Sequence, residues 1–592
     1  MAEYKVANLY QGGYSSFKPN YGEGFTGYHV NANSLSTTTL PNTANVLKEF
    51  GDKLNMGIKN VEVTAINPQT FDEIPKQHFK EINRLSKITG VDVSLHGILA
   101  EPSGMSQEGF NEAHRQAIER QIQQNLERGH ELKPNGNITV TFHTSNMFPS
   151  ADVTKFKDPK TGKEVEKVGS FLIVNTETGR PQKLPVLERT FPGEGEPSIK
   201  SEITRINEET WNSQLSHLSF NVERGSHVVD NTLAIVKSLE AERAAGKTIP
   251  DQGERAIQEF NYGVLFLNDA YRELKELYNV ASKKSSGEDK KKLDEFSKQI
   301  EKEALMIQKD PKSMDTIELK QDIIKRGIQL FKDISTPEIY APLDDFMKDK
   351  SARTFGNAAF NSYKKFGDTA PIMSIENPPA TQQFSRAEDV KNIVEDSRKE
   401  FVVQALKEGM SEREAKKAAE KLIGATWDVG HINMIRKFGF SEKDVIKEAG
   451  TIAPFIKHVH LSDNFGMEHS ELPMGMGNVP IKEIMKKLGK KGYEAKKVIE
   501  AAAWWTHFGQ QGKIPPFAAS LEGMGSPMYA TGGGPYWNQA IGLTQGYFGG
   551  YGRFLPGINY ESFGGGFSML PSELGGQRQA AQGSRMSGRG ME

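Results

Sequence analysis

The segment "HVHLSDNFGMEHSELPMGMGN" (residues 458–478) sets His458, His460 and His469 beside Asp463 and Glu468, where an apolar run gives way to a Gly-x-Gly turn. Imidazoles and carboxylates at this density are the donors of a divalent-cation site. The chain has no cysteine, so thiolate metal sites, disulfides and cysteine nucleophiles are excluded and any metal must use His, Asp and Glu. The same residue types close other apolar runs: His29, His96, His143, Glu376, Asp428 with His431, and Glu500. One such residue alone is more often a hydrogen-bonded structural group or a cap. Their recurrence changes the weighing, because many buried charges need a cation to neutralise them.

The elements that must position these residues are short strands alternating with amphipathic helices, as in βα units around a parallel sheet. The strands read as 25–32, 60–66, 91–97, 138–145, 371–378, 424–431, 455–463 and 496–504. Stretches such as "EAHRQAIERQIQQNLERG" between them carry apolar residues three and four apart, a helical period. Eight strands close a (β/α)8 TIM barrel, whose C-terminal strand ends form one rim, so residues distant in sequence converge there. Apolar side chains are expected to fill the barrel. On strand seven, His458 and His460 share a face; His460, nearer the rim, is the expected ligand, and His458 supports it or lies in the core. Zn2+ suits such a donor set, with Mn2+ or Fe2+ as alternatives.

These residues resemble the xylose isomerase-like TIM barrels, and within them the endonuclease IV group of apurinic-site nucleases. "GYHVNA" is similar to that group's opening strand, "SLHG" and "TFHTS" to its two histidine strands, and "IENPP" to its metal-bridging glutamate strand. "WDVGH", "HVHLSDN", "EHSELPMGMGN" and "VIEA" follow in the same order. The resemblance implies metal ligands at His96, His143, Glu376, Asp428, His431, His460, His469 and Glu500, with Glu376 and Glu500 also catalytic. It implies two or three zinc ions and hydrolysis of DNA, abasic DNA in particular, or of another phosphodiester. Met467 stands where that group has an aspartate ligand, so Glu468 or Asp463 would have to substitute; His29 and His458 are further candidates for supporting or substitute roles. A rival reading uses the same rim: one metal on Glu376, Asp428, His460 and Glu500, serving a sugar isomerase or epimerase in which Glu376 and Glu500 move the proton. A third is a non-catalytic metal-binding scaffold.

The 592 residues then divide into barrel halves at 1–150 and 370–510, an insertion at 151–369 and an extension at 511–592. The insertion, after strand four, reads as a β-hairpin around "NTETGR" followed by long helices, either a lid over the rim or a packing subdomain. The extension is rich in Gly and aromatics, a composition that predicts a flexible or partner-binding segment. A formal charge of −2 gives no global pull toward nucleic acid or anionic membrane. The absence of a targeting segment and of a long apolar run leads to an expected cytoplasmic location.

Overall fold

A computed structural model describes residues 35–501, apart from 56–57, 160, 188–196, 247 and 312, together with Ser520. His29 and the 511–592 extension, Ser520 aside, lie outside the described residues.

Eight parallel strands close into a barrel: β1 (Leu35–Thr38), β2 (Asn60–Thr64), β3 (Asp92–His96), β4 (Thr139–His143), β5 (Ile372–Glu376), β6 (Ile423–Asp428), β7 (Ile456–Leu461) and β8 (Lys496–Ile499). Each pairs with its neighbours in sequence order, and β1 closes the ring against β8 through Leu35 opposite Lys497 and Thr37 opposite Ile499. The α/β barrel fold read from the sequence is therefore the observed one. Its first strand is Leu35–Thr38, not residues 25–32, which lie outside the described residues.

Why these runs become strands is visible in their alternation. On β3 to β7 the residues Val93 and Leu95, Val140 and Phe142, Met373 and Ile375, Ala425 and Trp427, and Val459 and Leu461 are all buried. They face the helices: a Cβ added at Gly129 of helix Glu112–Leu132 would meet Val140 and Leu95. The intervening residues turn inward and are polar. Thr141 Oγ1 lies 3.0 Å from Thr426 Oγ1, which donates to Ser374 Oγ at 2.7 Å. This corrects the expectation of an apolar barrel interior: on β3 to β7 one face packs on helices, and the other is largely polar, with Thr141, Thr426 and Ser374 hydrogen-bonded in a chain.

The helices start and stop where local chemistry dictates. Asn111 caps Glu112–Leu132 by accepting from the His114 N–H at 3.1 Å, and Ser441 with Asp444 makes a capping box for Glu442–Ile452. Helix Lys76–Thr89 ends at Gly90, whose φ of 69° is left-handed, and the chain turns directly into β3.

By contacts the chain divides into two compact units, one of residues 1–171 with 344–592 and the other of residues 172–343. The second unit is thus narrower than the 151–369 insertion. It contains helices Ile199–Ala244, Asp251–Lys284, Gly287–Lys309 and Met314–Asp333, with a core that includes Trp211, Leu218, Leu267, Leu274 and Phe331. The expected hairpin is present, its strands Glu164–Asn175 and Pro181–Pro185 pairing across a turn where Asn175 Oδ1 accepts from the N–H groups of Glu177 and Thr178. Among the described residues no helix is long and apolar enough to cross a membrane.

Candidate metal centre

Strand register brings the rim residues together. Glu376, the last residue of β5, stands opposite His143, the last of β4, while Asp428 at the end of β6 stands opposite His460 on β7. Glu376 Oε1 lies 2.7 Å from His460 Nδ1, and Glu376 Oε2 lies 3.2 Å from His96 Nε2 and 3.4 Å from His143 Nε2. Glu500, just past β8, places Oε1 3.2 Å from the same His460 nitrogen. Among the described residues four groupings follow in which the donor atoms all fall within 4.8 Å of one another: Glu376, Asp428, His460 and Glu500; His96, His143 and Glu376; His96, His460 and Glu500; and Glu62, His458 and His460. Glu376 belongs to the first two.

The loops that carry the remaining candidates are shaped by close approaches. In "WDVGH", Asp428 Oδ1 accepts from the His431 N–H at 2.7 Å and from Ser462 Oγ at 3.0 Å. A side chain at Gly430 would meet Ser462 Oγ, so glycine is required there. His431 Nδ1 is fixed by the Asn377 carbonyl at 2.7 Å, which aims its Nε2 at His469 Nε2, 2.8 Å away. His431 and His469 fall in neither four-ligand nor three-ligand grouping and form a pair beside them. Asp463 does not join the cation cluster: its Oδ1 accepts from the N–H groups of Asn464 and Val479, and its Oδ2 from that of Gly475, so its carboxylate holds the Gly-x-Gly loop together. Glu468 is half-buried and in no cation grouping. The carboxylate that approaches His469 is instead that of Glu471, 3.3 Å away, on a residue whose φ of 44° is left-handed.

One buried residue is additional to the set read from the sequence. Glu62 of β2 is fully buried, accepts from Ser94 Oγ at 2.8 Å, and lies 3.0 Å from His458 Nε2 and 3.2 Å from His460 Nε2. It is not at a strand end, which is why attention to strand ends passes over it. The signal available in "NVEVT" is a glutamate on the alternate face of a strand whose valines are buried.

Electrostatics at the rim are those of charge held out of water. Burial disfavours ionised Glu376, yet the charge and hydrogen bonds of His460 and His143 outweigh it and hold the carboxyl well below its ordinary range. Glu500 moves the other way, pushed up to about 8 by burial, with repulsion from Glu376 and Asp428 adding to it. His96 loses by burial but gains more from Glu376, and is raised to about 9. Burial dominates at His431, which falls to about 4. Without a cation, protons on His96 and His460 and a raised Glu500 offset the charge of these carboxylates. A divalent ion with nitrogen and oxygen ligands supplies the same positive charge, and the donor set fits one.

A family model described as xylose isomerase-like TIM barrel matches residues 383–514. No curated protein matches the sequence. Solved structures similar to the chain include a D-tagatose 3-epimerase-like protein, at 12% identity over 79% of this chain and 90% of that one with a TM-score of 0.32. A D-psicose 3-epimerase from Clostridium cellulolyticum H10 gives 8% identity, 83% and 95% coverage and a TM-score of 0.36. A 3-keto-D-glucoside 4-epimerase from E. coli gives 11%, 79% and 91%, and 0.31. The matched segment carries part of the closed barrel, and the rim of that barrel gathers His, Asp and Glu donors that could hold a metal ion. The description of the matching family model does not single out the endonuclease IV group, and the solved structures named above are sugar epimerases or epimerase-like.

Proposed function

We propose that the protein is a divalent-metal-dependent isomerase or epimerase acting on a sugar or sugar phosphate. The observation that carries this reading is the approach of two carboxylates, Glu376 and Glu500, to one nitrogen of His460 at 2.7 and 3.2 Å, with Asp428 completing a compact four-ligand set. Moving a proton between carbons next to a carbonyl needs one group to remove it and another to return it. Glu376, ionised, accepts the proton as the C–H bond breaks and its electron pair passes toward the carbonyl oxygen. Glu500, on the same His460 nitrogen, is placed to return one to carbon after taking it up from solvent. Glu376, Asp428, His460 and Glu500 would hold the cation, which when bound would polarise the substrate oxygens and offset their developing charge. His431, fixed by the Asn377 carbonyl, is available to orient a substrate hydroxyl.

A second reading, metal-dependent phosphodiester hydrolysis with DNA among its substrates, is favoured by one observation. His96 and His143 make a second grouping on Glu376, so that carboxylate would bridge two ions. Elemental analysis of the purified, unchelated protein separates the two. One ion per chain, with metal-dependent deuterium uptake from solvent next to the carbonyl of a ketose, is the expected result. Two or three zinc ions with cleavage of a phosphodiester and no such exchange would overturn it in favour of the hydrolase.

A further inference from the structure

Glu376 and Glu500 explain the rim side of His460, but the opposite edge of its ring faces a carboxylate that the proposed reaction does not use. His460 Nε2 and Glu62 Oε1 are both fully buried, neither has a hydrogen-bond partner, and they lie 3.2 Å apart. A buried polar atom without a partner is costly. Among the described residues each of these two atoms has the other within ion-pair reach but short of hydrogen-bond alignment, and Glu62, His458 and His460 also form a grouping of donors within 4.8 Å of one another. The other oxygen of Glu62 is already held, by Ser94 Oγ at 2.8 Å and His458 Nε2 at 3.0 Å. The carboxylate is therefore anchored from β3 and β7 with Oε1 left turned to His460.

We infer that Glu62 is a positioning residue for the metal centre: it holds the proton of His460 on Nε2 and so leaves the Nδ1 lone pair aimed at the space shared with Glu376, Asp428 and Glu500. An ionised carboxylate only accepts, so a hydrogen bond from His460 fixes which ring nitrogen carries hydrogen. An imidazole held this way is also a more basic ligand, and loss of such an outer partner typically costs about 10- to 100-fold in metal affinity. His458 belongs to the same arrangement. Two residues before His460 on the same face of β7, it donates to Glu62 instead of reaching the rim. The inference rests on the metal-dependent reading of the rim, but not on which reaction the rim performs.

The test uses Co2+ as the probe, with affinity measured by chelator competition on the full chain and the visible spectrum as a report on the ligand field. Glu62→Gln keeps the volume and removes the charge; it is expected to weaken Co2+ binding by about 10- to 100-fold and to shift the spectrum. Ser94→Ala removes one anchor of Glu62 without uncharging it and should weaken binding by less than a tenth of that. Unchanged affinity and spectrum in Glu62→Gln would overturn the assignment, as would an equal loss in Ser94→Ala, which would make the effect one of packing. If Glu62→Gln does not fold, histidine 15N NMR of the zinc-loaded wild-type chain decides: His460 protonated on Nε2 supports the assignment and protonation on Nδ1 overturns it. Wild-type protein that takes up no Co2+ would instead overturn the metal reading, and this inference with it.

Discussion

Two histidine–glutamate pairs of nearly the same length lie in the two units of this chain. In the barrel, His460 Nδ1 is 2.7 Å from Glu376 and neither side chain is exposed. In the helical unit, His217 Nδ1 is 2.9 Å from Glu273, with the histidine side chain 65% exposed. Geometry alone does not tell them apart; water does. The exposed pair is screened and adds little, as surface ion pairs do. The buried pair sits where desolvation and neighbouring carboxylates raise one acid, depress another and lift His460 well above its ordinary range. Chemistry follows the second environment.

The strongest way to break this contrast is to remove the carboxylate shared by the four-ligand grouping and the His96–His143 grouping. Glu376→Gln should abolish stable metal retention, a loss greater than the about 10- to 100-fold that outer partners cost, because on the proposed reading it removes a direct ligand and deprives His96, His143 and His460 of their counter-charge. Elemental analysis after gel filtration reads it; metal retained at the wild-type ratio would show that the cation sits elsewhere. Next in size is pH. Glu500 keeps its proton up to about 8 and His96 up to about 9, and a cation must displace the first and is repelled by the second. Affinity should therefore rise from pH 7 to 9 by about tenfold for each proton displaced, then level off, which chelator competition across that range would check. A flat profile would mean that neither group is linked to the cation.

How much of this contrast was legible in the sequence follows from what each signal depends on. Period-two alternation marks a strand wherever one face is apolar, so seven of the barrel strands could be placed from runs such as "VDVSLHG" and "ITVTFHTS". The strand ends His96, His143, Glu376 and Asp428 follow, because a rim residue is the last of its run. The first strand, "LSTT", has a single apolar residue and no such contrast, so "FTGYHVNA" drew the assignment instead. Glu62 escaped because its place in the cluster depends on barrel closure, which brings β2 beside the histidines of β7. Asp463 looked like a ligand by type; only the loop's backbone N–H groups, which close on it from Asn464, Gly475 and Val479, show that its oxygens are occupied.

A smaller effect sharpens the choice between one ion and several. His143 touches Glu376 Oε2 at 3.4 Å but is outside the four-ligand grouping. If a single ion uses that set, His143→Ala weakens it by about tenfold, as loss of an outer partner would, and leaves the ratio of one ion per chain. If Glu376 bridges two ions, the same change removes one of them. Metal titration with stoichiometry, not activity, distinguishes these outcomes.

The least effect is expected in the helical unit, and it is what makes the comparison a fair one. His217→Ala deletes an imidazole whose Nδ1 lies 2.9 and 3.1 Å from the two oxygens of Glu273, a contact closer than several at the rim. If distance governed, the substitution would matter. If desolvation governs, metal content should not move, and thermal unfolding should shift by no more than about 0.5 kcal/mol, as exposed positions generally allow. A larger shift, or any change in metal retained, would mean that the exposed pair carries more than its solvation permits, and the separation drawn between the two units would fail at its simplest point.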